Sequence, residues 1–181
     1  MPPFFTLKTN TMNQAHLHLL LNHLPILGTL FGLLTLAAGF TLKNETIKRT
    51  ALGFFVFSAL CAIPAYLTGE GAEEVVEKIP GASSETLVEA HEELANIFLW
   101  LTGALGVFSI FTFFVNYTQK KGGSLLYALT FVLGLGTMVL AQQVGTSGGE
   151  IRHTEIRSSQ TNPNLDQTVN GNGAESEEDD E

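Results

Sequence analysis

Five histidines and a dense run of glutamates are the side chains of this chain with the widest chemical reach. His23, His91 and His153 could hold a haem iron through neutral imidazole nitrogens. A mixed set of His23, His91, Glu70 and Glu73 would instead suit a transition metal such as zinc, iron or copper. The spacing leaves both chemistries open, because the chain carries neither a Cys-x-x-Cys-His nor a His-Glu-x-x-His motif. Cys61 is the single cysteine, so an intrachain disulfide and a thiolate cluster are excluded. No Gly-x-Ser-x-Gly elbow, phosphate loop or basic nucleic-acid patch is present, and no residue is assigned a catalytic role.

The elements that must position these residues are set by hydrophobicity. Residues 24–42, 50–69, 94–118 and 124–144 contain no Asp, Glu, Lys or Arg. Each run is close to the roughly 20 residues that a helix needs to cross about 30 Å of hydrocarbon. The runs are apolar all round, as in "LPILGTLFGLLTLAAGFTL", so neither a soluble bundle nor an alternating β-barrel strand fits them. The expected fold class is all-α: a polytopic membrane four-helix bundle in contact with the lipid bilayer, with short amphipathic helices at one face.

Four helices in up-and-down order bring the start of span one, the end of span two, the start of span three and the end of span four to one side. Every histidine lies there: His16, His18 and His23 before span one, His91 before span three, His153 after span four. Leu87, His91, Leu94, Ala95 and Phe98 share one helix face, so His91 should point inward with the leucines. Ser83 or Ser84 is a natural cap for that helix, with Glu85 in its first turn. Glu85, Glu89, Glu92 and Glu93 fall on other faces.

In "EGAEEVVEKI", Glu70, Glu73, Glu74 and Glu77 oppose Ala72, Val75, Val76 and Ile79, which predicts an amphipathic helix joined to the next at "IPGASS". Most of these glutamates form a solvated face; Glu70 and Glu73, nearest the end of span two, are the candidates for a role. His16 and His23 would align on a continuous helix, but Pro25 suits a helix opening and makes that continuity doubtful. "GGEIRHTEIR" is expected to leave span four at Gly148 and Gly149 and fold back over the bundle mouth.

Loop charges give an orientation. Lys43, Lys48 and Arg49 lie in the first loop and Lys120 and Lys121 in the third, whereas the second has Lys78 as its only base. The positive-inside rule then places the first and third loops in the cytoplasm and both termini outside, on the periplasmic side of a bacterial inner membrane. Much of the net charge of −9 belongs to residues 158–181, rich in Ser, Asn, Gly and acids, which are expected to be a disordered acidic tail. Residues 1–21 form a separate N-terminal segment before a four-span domain of residues 22–157, and residues 1–11 are read as a misassigned start or a loose tail, because Met12 opens the pattern that leads into span one.

Three short stretches, "NHLPI", "AYLTGEGAEE" with "EAHEE", and "GGEIRH", resemble a family of bacterial four-span membrane proteins known as the domain of unknown function numbered 2231. The resemblance covers Asn22 to His153. It implies the four-span architecture and points to His23, His91 and His153, but implies no activity.

Two function classes follow: a redox or metal-binding membrane protein using the histidine face, or a noncatalytic scaffold, either a subunit of a larger membrane complex or a homo-oligomer. Gly28 and Gly32 form a GxxxG for close helix contact, and Gly103, Gly106, Gly134 and Gly136 offer similar surfaces. Transport is disfavoured, since the four runs hold no carboxylate, Lys, Arg or His to mark an ion path.

Overall fold

A computed structural model of the chain describes residues 14–78, 85–118, 123–153 and 156–157. The start at residues 1–11, the Ser83 or Ser84 cap, the "IPGASS" joint, Lys120, Lys121 and the acidic tail lie outside the described residues. The helices are α1 (Gln14–Leu21), α2 (His23–Thr41), α3 (Glu45–Leu67), α4 (Gly69–Glu77), α5 (Glu85–Thr118) and α6 (Gly123–Arg152), and no strand occurs among the described residues.

Four helical stretches are long and apolar enough to cross a membrane: α1 running into α2, then α3, α5 and α6. The distribution of side chains agrees with that solvent. Large apolar groups face outward, Trp100, Val107, Leu34 and Phe114 among them, while Thr29, Ser58, Thr102, Ser109, Thr112, Thr130 and Thr137 are buried. A water-soluble bundle would sort them the other way. The inward hydroxyls are satisfied largely within their own helices, as when Thr137 donates to the Leu133 carbonyl at 2.9 Å and Ser109 to that of Leu105 at 2.7 Å. The chain is an all-α, multi-pass membrane protein.

The packing order is α2 on α3, α3 on α5, α5 on α6, and α6 closing back on α2, so α2 and α5 are diagonal partners. Fully buried Phe55 sits at the centre with Leu36, Leu52, Leu105 and Tyr127. The α2–α3 seam is tight because Gly32 gives Phe55 room: a β-carbon at position 32 would stand 2.5 Å from Phe55 Cε1. Gly28 packs on Ser58, Gly106 on Ala59 and Gly134 on Leu33, so these four glycines serve contacts within the bundle. Gly103 and Gly136 face open space.

Helix α3 begins five residues before its apolar run. Asn44 explains this: its side chain accepts from the Thr46 and Ile47 amides at 2.9 and 3.1 Å, and Glu45 follows in the first turn. Similarly, α5 has 34 residues, or about 51 Å at 1.5 Å per residue, well beyond the hydrocarbon thickness. Its polar first turns stand clear of the apolar stretch that opens at Leu94. Together with α1, α4 and the last turns of α6 they form a crown at one end of the bundle, here the histidine end. The opposite end, at the α2–α3 turn, is the lysine end.

Candidate functional site

The crown contains two partly buried histidines, one on α1 and one on α5. His18 belongs to α1, which packs on α4 and the end of α3. Its Nδ1 lies 2.9 Å from the Ala65 carbonyl oxygen and 3.2 Å from Thr68 Oγ1. Ala65 is in the last turn of α3, where helix carbonyls lack intrahelical partners, so the imidazole caps a helix end. A carbonyl can only accept; Nδ1 therefore carries the proton and Nε2 the lone pair.

His91 reaches the same state through a different partner. Its Nδ1 lies 2.9 Å from Ser147 Oγ on α6, and that hydroxyl donates to the Val144 carbonyl at 3.1 Å. With the serine proton committed to Val144, Ser147 accepts from His91 Nδ1–H, and Nε2 is again the free base. Gly148 lies against the ring, since a β-carbon there would stand 3.0 Å from His91 Cε1. The "GG" of the fourth segment is thus not where the helix ends; α6 continues to Arg152.

Both imidazoles stand outside the apolar spanning stretches, ahead of residues 24 and 94. Burial holds the His18 pKa below the ordinary histidine value, against the opposing hydrogen bond to Ala65. His91 is lowered first by burial and then by the charge His18 would carry, with Glu92 and the Val144 carbonyl opposing. The charge that His18 would carry is thus felt at His91.

The other expected site residues have different surroundings. His23 is exposed and bonds its neighbour Asn22. His153 is exposed where α6 ends, and there the chain turns back on α6 itself: Arg157 Nε donates to the Glu150 carbonyl at 2.7 Å. Glu70 is exposed in the first turn of α4 and Glu73 is half-buried on it. Among the described residues, no three of His, Cys, Asp and Glu gather as a metal-holding group. Beside Ser147 a shallow groove of about 400 Å³ opens, lined by Leu94, Val139, Gln142, Gln143, Thr146 and Glu150.

The second partly buried, hydrogen-bonded histidine of this end is His18, which the sequence placed here without singling it out. Two neutral imidazoles, each oriented through Nδ1 with Nε2 unprotonated, can bind a Lewis-acidic centre or exchange a proton. No protein-family model, no curated protein and no solved structure matches the chain.

Proposed function

We propose that this membrane protein binds haem b at its histidine end, where His18 and His91 would hold the iron, with a role in electron transfer. The observation that carries this is the shared orientation of the two rings: each Nδ1–H is held by a protein acceptor, the arrangement that orients ligating histidines. Their places on two different helices of the crown suit a cofactor held between helices. The donor set fits haem better than a bare metal. The described residues supply two imidazoles without a third neighbouring donor, and the porphyrin brings four nitrogens of its own. When bound, haem would supply one-electron chemistry; the chain's own residues, Ala65 and Ser147, orient the two ligands.

We read the membrane as a bacterial inner membrane, and the charge bias of the loops supports an orientation with the histidine end toward the periplasm. There the site would be open to a soluble electron carrier.

The test is spectroscopic. Protein purified in detergent from an iron-replete host should show a sharpened α-band on dithionite reduction. His18→Ala and His91→Ala should each abolish it, while His23→Ala leaves it. A featureless spectrum from haem-sufficient cells would sink the haem reading, leaving the two histidines as clamps between helices in a scaffold.

A further inference from the structure

The lysine end holds a cationic cluster that its own carboxylate does not neutralise. Lys48 is accounted for: its Nζ lies 2.8 Å from Glu45 Oε1 and 5.4 Å from the ring centres of both Phe40 and Tyr127. Arg49 has no carboxylate partner among the described residues. Its Nη2 reaches only the Asn116 carbonyl, at 3.4 Å, and its guanidinium carbon lies 5.7 Å from the Tyr117 ring centre. Its Nε–H is buried, with the hydroxyl of fully buried Tyr127 beside it. A partly desolvated guanidinium that faces no carboxylate among the described residues lacks an anion to complete it.

A second observation points to the same end. Lys43 is the one non-glycine residue in the left-handed region among those described, with φ 50°. It follows the α2 C-cap, where glycine is the relaxed choice. The chain thus keeps an exposed cation at a conformational cost, at the level where two spanning helices end. Tyr117, 68% exposed, marks that level as the membrane interface.

The occupant must reach the cluster from this side. The acidic tail follows α6, which ends at the other face, and residues 119–122 contain no carboxylate. The abundant anion at this depth is the phosphate of a lipid headgroup. We propose that Arg49 grips the phosphate of an anionic phospholipid in the leaflet meeting the lysine end, with Lys43 adding a second positive charge at the same level. Arginine suits this task because its planar fork can offer two donors to one phosphate.

The full chain, purified in mild detergent and stripped of lipid, would be offered phosphatidylglycerol and phosphatidylcholine at equal concentration and read by native mass spectrometry. The expected result is a preferred phosphatidylglycerol adduct whose binding falls about fivefold or more in Arg49→Gln and is partly kept in Arg49→Lys. Lys43→Gly should weaken the adduct while leaving thermal stability equal or higher, a combination that general damage to the fold would not produce. Equal retention of both lipids, or an unchanged preference in Arg49→Gln, would overturn the proposal. Displacement of the lipid by millimolar inorganic phosphate would overturn the lipid assignment and give the site to a soluble anion. If Arg49→Gln fails to fold, Arg49→Lys and Lys43→Gly carry the test.

Discussion

Gly148 lies against the imidazole of His91, so close that a β-carbon at 148 would stand 3.0 Å from Cε1 and 3.4 Å from Nδ1. Position 148 is inside α6, where alanine is favoured over glycine by about 1 kcal/mol. Overpacking works the other way, at about 1–3 kcal/mol, and toward its lower end here because the ring can yield by a few tenths of an ångström. Gly148→Ala should therefore change stability little while turning the His91 ring. The expected outcome is a folded protein with near-normal thermal unfolding and a lowered or shifted haem spectrum. A full gain in stability with an unaltered spectrum would show the contact to be slack.

How much of this was legible in the sequence differs between the two histidines. His91 declares itself, because Leu87, Leu94 and Phe98 continue its face into the buried side of α5. His18 is concealed by Pro25. A helix continuing through Asn22 puts His18 seven residues before Pro25, on the face of buried Thr29 and Gly32, and puts His23 with exposed Leu27 and Leu34. The proline suggests a break there, yet Asn22 keeps helical dihedrals, φ −61° and ψ −28°. The role of Gly148 depends on a ring 57 positions earlier in the chain, on another helix, and local pattern holds no trace of it. The four spans were plain throughout, since length and uniform apolarity are local properties.

Acid should loosen the crown. His18 and His91 titrate below the ordinary histidine value of 6.5 because burial favours the neutral rings. Between the depressed folded values and 6.5, the unfolded or detached state binds more protons than the folded one. The stabilising contribution is therefore complete above 6.5 and is lost as pH falls through the folded values. Hydrogen exchange of the α1 amides should accelerate over that range, and His18→Gln should flatten the dependence. Exchange that is unchanged from neutral to mildly acidic pH would show that the two rings are not the clamp.

The last contrast separates packing inside the bundle from contacts outside it, using one substitution at two glycines. At Gly32 the added methyl would meet Phe55 Cε1 at 2.5 Å and Cδ1 at 2.6 Å. Phe55 is fully buried and has little room to move, so overpacking should prevail and Gly32→Ala should cost about 1–3 kcal/mol. At Gly103 a β-carbon meets nothing within 4 Å, so helix propensity acts alone and Gly103→Ala should gain up to about 1 kcal/mol. Unfolding titrations in mixed micelles would read both, and size-exclusion profiles would report any change in assembly. Shifts of opposite sign with an unchanged assembly place the tight glycine seam between α2 and α3. A Gly103→Ala protein that loses an oligomer or a bound subunit would instead make that open glycine a contact with a neighbour in the membrane.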